Sequence, residues 1–268
     1  MLASLRKALG LASHRSTVSL TSWRPNRRYS NFGDALSAVV VEAMLATRGL
    51  TLASPAVRPG TLLSIGSILH FARDGDVVWG AGRNGKVPAA AHRFRVLDVR
   101  SVRGPLTRAF LADRGIAAPA VYGDPALLLP TLLGGKFVRR DEIHLSVMPN
   151  LHDLALVAGR PDIVSPFDPW DRVMGRLLRS RFVVASSLHG AVVAEAFGVP
   201  ARFVRLSETE SLLKYEDYLL GTGRTDEPFA KSIDEALDMG GMPPPRFDAE
   251  GLMAAFPFDL WSGGPVGS

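Results

Sequence analysis

The segment Val183-Val-Ala-Ser-Ser-Leu-His-Gly-Ala-Val-Val-Ala-Glu-Ala-Phe-Gly-Val-Pro200 reads as a strand running directly into a helix. Residues 182–186 are an apolar run closing on serine, the pattern of a strand buried in a parallel sheet. A helix follows over residues 189–197. Its first turn presents unpaired backbone N–H groups and a positive dipole end, a setting that suits a phosphate or carboxylate. Ser186 or Ser187 can cap it. His189 can donate to an anion, serve as general acid and base, or sit satisfied in the core. Gly190 suggests that something approaches the backbone closely.

Outward from this segment, short β-rich runs alternate with helical patterns, which predicts parallel strands joined by crossover helices. Upstream strands are expected at residues 17–21, 61–65, 76–79, 93–99 and 120–122, with helices at 34–47 and 105–114. A second set holds strands at 143–148, 162–164 and 201–205 and a helix at 170–181. Residues 132–140, rich in glycine and basic residues, read as a linker between two compact α/β halves. Such halves imply a cleft, and in open α/β sheets ligands sit beyond the carboxyl ends of the strands. Functional residues are therefore expected in the loops that follow strands.

Several loops fit that expectation. Leu97-Asp-Val-Arg-Ser-Val-Arg-Gly-Pro-Leu-Thr-Arg108 places Arg100 and Arg103 at a strand end, where they can clamp an oxyanion or simply bridge to Asp98. Asn31-Phe-Gly-Asp34 precedes the first helix, with Asp34 as its expected N-cap. Glycine-bearing loops follow at Ser64–His70, with Gly66, Ser67 and His70, at Trp79–Gly85, with Gly82 and Asn84, and at Tyr122-Gly-Asp124-Pro. Gly80-Ala-Gly82 lacks the third glycine of a dinucleotide fingerprint, and no P-loop occurs.

Composition narrows the chemistry. The chain has 268 residues, 47% hydrophobic and 21% charged, which describes an ordinary globular protein. It has no cysteine, which excludes a disulfide framework, thiolate metal sites and a cysteine nucleophile. Its net charge is +5, and of 31 basic residues only five are lysine. The six histidines show no metal-ligand spacing, no Gly-x-Ser-x-Gly elbow occurs, and basic residues are not interleaved with aromatics. These absences predict no metal site, no serine hydrolase and no nucleic-acid module. No segment approaches the ~20 apolar residues of a membrane span. The start, with Arg6 and Lys7 inside an apolar stretch, reads as a terminal helix with at most peripheral membrane contact, and the expected location is the cytoplasm.

Taken in order, these loops resemble the polysaccharide pyruvyl transferase family, in particular its exopolysaccharide ketal-pyruvyltransferase branch. The matching segments are Asn31-Phe-Gly-Asp34, Ile65-Gly-Ser67, Val78-Trp-Gly-Ala-Gly82 with Asn84-Gly-Lys86, and Leu97–Thr107. Tyr122-Gly-Asp-Pro-Ala126 and Ala185-Ser-Ser-Leu-His-Gly190 complete the series, which spans about residues 16–206.

The resemblance implies an α/β fold of two Rossmann-like domains facing a cleft, as in GT-B glycosyltransferases. The implied limits are 1–135, 136–247 with the Ser-Leu-His-Gly loop, and a C-terminal helix and tail over 248–268. It further implies phosphoenolpyruvate as co-substrate without a resident cofactor, and a polysaccharide sugar, lipid-linked in much of the family, as acceptor at the inner face of the membrane. The product is a pyruvate ketal, with phosphate released. His189 is the expected catalytic residue, and Ser186, Ser187, Leu188 and Gly190 belong to the donor loop. Many family members carry an arginine two residues before the histidine. Ser187 stands there in this chain, so Arg103, with Arg100 second, is expected to neutralise the donor. Asn31, Asp34, Gly66, Ser67, His70, Gly82, Asn84 and Asp124 are expected to orient the acceptor or position loops. The alternative is a nucleotide-sugar glycosyltransferase of the same architecture, supported by the Glu-x7-Glu spacing of Glu208 and Glu216.

Overall fold

The computed structural model describes residues 17–23 and 31–261. The amphipathic start and glycine-rich tail lie outside them. The chain forms a mixed α/β fold with two parallel sheets. The first runs in chain order through β1 (Val18–Thr21), β2 (Gly60–Leu63), β3 (Val77–Trp79) and β4 (Asp98–Ser101). Its centre is apolar on both faces: Leu62, Leu63, Val78 and Trp79 are fully buried. The second sheet is β5 (Ile143–Met148), β6 (Ser180–Ala185) and β7 (Ala201–Phe203). Ile163 bridges the outer edge of β5 before β6 pairs with its inner edge, so the direction of strand progression reverses at β5. The carboxyl end of such a strand is where α/β sheets open a crevice.

Helices cover these sheets. α1 (Phe32–Ala46) buries Phe32, Leu36, Val40 and Met44, spaced one turn apart, in the core. α2 (Pro105–Ala112) and the short α3 (Leu129–Leu132) complete the first set. The second set has α4 (Trp170–Leu178), α5 (Leu188–Ala196), α6 (Leu213–Gly221), α7 (Ile233–Met239) and α8 (Ala249–Ala254). One buried apolar cluster continues from α1, Leu62 and Trp79 through Leu127–Leu129 to α4, α5 and β6. From α8 onward the chain returns to the first sheet: Trp79 Nε1 donates to Leu252 O, within α8, at 2.9 Å, and beyond the helix Phe256 meets the Trp79 ring edge-on at 4.8 Å.

The first sheet is tied to α6 through a seam built on Asp217. This fully buried carboxylate accepts from Thr107 N at 3.0 Å and Thr107 Oγ1 at 2.6 Å, and pairs with Arg103 Nη2 at 3.2 Å. Backbones touch on either side of it. A Cβ on Gly104 would lie 1.7 Å from Asp217 O, and one on Gly221 would lie 2.3 Å from Arg103 O.

Several elements differ from their sequence-based limits for physical reasons. The strand expected at 93–99 starts only at Asp98, because Asp74 Oδ1 takes the Arg95 and Val96 N–H groups and Gly75 takes the Val96 carbonyl. Their ladder bonds are thereby spent. The helix expected at 170–181 stops at Leu178, where Ser180 enters β6 and its hydroxyl bonds both Arg176 O and Ser146 Oγ. Residues 120–122 and 162–164 reduce to single bridges, Tyr122 to Val102 and Ile163 to Val147. Strand 201–205 ends at Phe203.

Candidate functional site

The carboxyl ends of both sheets open on one cavity of ≈ 210 Å³. Trp23 reaches it after β1, Gly66–Ile68 with His70 and Phe71 after β2, and Asn84 and Lys86 after β3. From the second sheet come Asn150–His152 after β5, Ser187–His189 after β6, and Glu210 and Lys214 after β7. Asn31 and Asp34, at the start of α1, close the remaining side.

His189 sits in the first turn of α5, whose N-cap is Ser187, its hydroxyl accepting from Gly190 N at 3.3 Å. Its Nε2 lies 3.2 Å from Asp124 Oδ2. Asp124 is fully buried and held by its second oxygen, which accepts from Ala126 N at 3.0 Å and caps the turn Pro125–Leu128. The carboxylate therefore fixes the ring, and Nδ1 is the nitrogen available for exchange with a ligand. On the other side, a Cβ at Gly33 would stand 2.2 Å from Nδ1. Glycine lets the start of α1 lie against the imidazole.

Asp34 is not the N-cap that the sequence suggested. The helix starts at Phe32 with Asn31 in the cap position, and Asn31 Nδ2 donates to Asp34 Oδ2 at 3.1 Å. Burial pushes the Asp34 carboxyl up to about 6, against the lowering effects of His189, Asn31 and the Trp23 backbone. The native state thus holds this proton more tightly than the unfolded chain. The resulting cost is absent below pH ~4, grows between ~4 and ~6, and reaches about 3 kcal/mol above that. Asp34→Asn is expected to stabilise the protein by about 2–3 kcal/mol at pH 8 and by almost nothing at pH 4. Urea denaturation at the two pH values checks this, and an equal effect at both would show that the carboxyl is not strained by burial.

Opposite lies a carboxylate shared by two ammonium groups. Glu210 Oε2 is 2.7 Å from Lys86 Nζ, and Oε1 is 2.8 Å from Lys214 Nζ. Burial alone would raise the Glu210 carboxyl, but the two lysines overcome it and hold it below its ordinary value. Burial lowers Lys214 despite Glu210.

Of the residues expected from sequence, Asn31, Asp34, Gly66, Ser67, His70, Asn84, Ser187, Leu188 and His189 line this cavity. Others lie elsewhere. Arg100 is held by Asp98 at 2.6 Å and Asp259 at 2.9 Å, stapling the C-terminal stretch to β4. Arg103 is fully buried behind the wall, with Asp217, Arg83 O and Ser67 Oγ as partners. It reaches the cavity only through Ser67. Gly82 makes room for the Arg103 guanidinium, and Gly190 for Met148. Ser186 accepts from Asn150 N at 3.0 Å and so places the Asn150 loop. Asp124 does not line the cavity itself and contacts His189, which does. The Glu-x7-Glu pair does not form a donor clamp: Glu208 is 84% exposed against Arg205, Glu216 is exposed, and neither lines the cavity. Sequence reasoning did not single out Lys86, Lys214, Glu210, Asn150, His152 or Trp23 as site residues. The scarcity of lysine in an arginine-rich chain was the available signal for the first two. Among the described residues no cluster of three or more His, Asp or Glu side chains is arranged to hold a metal ion, and no helix is long and apolar enough to cross a membrane.

Comparison with known proteins identifies the family of the chain. The chain is 30% identical over 213 residues to the succinoglycan biosynthesis protein ExoV of Rhizobium meliloti, covering 75% of this chain and 64% of that protein's length. A crystal structure of an uncharacterized Klebsiella pneumoniae protein aligns over 87% of this chain and 99% of its own at 13% identity, with a TM-score of 0.45. The profile of the polysaccharide pyruvyl transferases matches residues 59–208, more than half of the chain, which therefore belongs to the polysaccharide pyruvyl transferase family.

Proposed function

We propose that the protein transfers the pyruvyl group of phosphoenolpyruvate to a sugar of an exopolysaccharide or surface polysaccharide, as a ketal, with release of phosphate. The observation that carries this reading is the pairing, in one cavity of a pyruvyl transferase chain, of a carboxylate-oriented imidazole with two lysines. Phosphoenolpyruvate brings a carboxylate and a phosphate to the lysines. His189 Nδ1 delivers a proton to the methylene carbon, leaving a cationic centre at C2 that a sugar hydroxyl attacks. The proton lost by that hydroxyl restores the imidazolium. A second hydroxyl then displaces phosphate, its proton leaving with the phosphate, and the ketal ring closes. No resident cofactor enters this scheme. In this reading the two sheets correspond to two Rossmann-like halves facing a cleft in the GT-B manner, and a lipid-linked acceptor is met at the inner face of the membrane.

Thermal shift against phosphoenolpyruvate, UDP-sugars and GDP-sugars tests the donor. Stabilisation by phosphoenolpyruvate is expected, and stabilisation only by nucleotide sugars would overturn the proposal in favour of glycosyl transfer. Phosphate release that depends on added oligosaccharide, with a product glycan heavier by one pyruvate ketal, would establish the reaction.

A further inference from the structure

We propose that Lys86 and Lys214 are the anion-binding groups of the cavity, and that Glu210 holds them in place until the donor's phosphate and carboxylate displace it. The inference rests on the donor reading above and assigns the charge recognition within it. The arginines that the sequence suggested for this role are both engaged: Arg100 by two carboxylates outside the cavity, Arg103 by Asp217 behind it. The two lysines, by contrast, line the cavity with their common partner. They arrive from different sheets, Lys86 after β3 and Lys214 at the start of α6. Their crossing is close enough that a Cβ on Gly85 would lie 2.0 Å from Ser211 Oγ. An ammonium on a four-carbon stem can swing from one oxyanion to another, whereas a bidentate guanidinium is committed to its fork. The count of charges also fits. Two ammonium groups against one carboxylate leave a cavity that gains by exchanging Glu210 for a ligand with two anionic groups.

The test measures dissociation constants of phosphoenolpyruvate and of inorganic phosphate by calorimetry on the full chain. Lys86→Met and Lys214→Met are each expected to weaken phosphoenolpyruvate binding roughly 10- to 100-fold. Lys86→Arg, whose fork is harder to move off Glu210, should recover only part of the affinity lost in Lys86→Met. Glu210→Gln, which removes the competing charge, should tighten phosphate and phosphoenolpyruvate by about ten-fold. Circular dichroism of each variant establishes that it is folded. Unchanged phosphoenolpyruvate affinity in both folded methionine variants would overturn the lysine assignment while leaving the pyruvyl donor intact. Phosphate binding with the same lysine dependence but no phosphoenolpyruvate binding would support the anion site and overturn the donor. Binding of neither ligand to the wild-type chain would overturn both.

Discussion

His189→Asn is expected to lower the rate of ketal formation by about 10²–10⁴-fold while leaving the protein folded and phosphoenolpyruvate bound. The ring is 12% exposed and touches the cavity, and in the proposed reaction its removal deletes the group that moves the proton. Asp124 offers a sharper version of the same test. In Asp124→Asn one amide oxygen can still cap Ala126 N, but the face toward Nε2 becomes a donor. The imidazole must then carry its proton on Nδ1 in the neutral form, reversing the tautomer that Asp124 selects. A loss in kcat approaching that of His189→Asn, with KM for phosphoenolpyruvate little changed, is the expected result. Gly33→Ala should reproduce part of the loss without altering any polar group, because the added methyl occupies the space of Nδ1. Retention of near-normal turnover by both His189→Asn and Asp124→Asn would remove the imidazole from the mechanism.

The second large effect concerns stability. Arg103→Met leaves the Asp217 carboxylate buried with Thr107 as its remaining partner, at an expected cost of about 3–5 kcal/mol. In a chain of this size that corresponds to a fall in Tm of about 10 °C. The double variant Arg103→Met, Asp217→Asn removes both charges, and the amide can keep its bonds to Thr107. It should therefore be more stable than Arg103→Met alone. Equilibrium denaturation of the pair decides this. If the single variant loses less than about 1 kcal/mol, the buried pair does not organise the seam.

Parts of this architecture were legible in the sequence because one local rule settled them. β5 falls on the expected residues 143–148, and the strand-to-helix segment around His189 shifts by at most two residues at any boundary. There, an apolar run, a capping serine and a helical pattern agree. The order of the loops also foretold that His189, Asp34, Ser67 and Asn84 would face one cavity. The arginines were harder. A guanidinium at a strand end looks the same in sequence whether it faces a ligand or a carboxylate 114 residues away, as Arg103 faces Asp217. Lys86 and Lys214 were obscured for the converse reason, since only the crossing of two loops brings both onto Glu210. Strand 93–99 failed because Asp74, distant in the pattern, captured its backbone donors.

The seam at Asp217 has an evolutionary consequence. The family-matched region ends at residue 208, yet Arg103 and Gly104, inside it, are completed by Asp217 and Gly221 outside it. A fragment cut at that limit would strand a buried cation and expose the face against which α6 packs. The unit that folds is thus larger than the stretch the family profile matches. Among relatives, a side chain gained at position 104 would have to be answered by a retreat of the backbone at 217. Positions on the two sides of residue 208 should therefore change together or not at all.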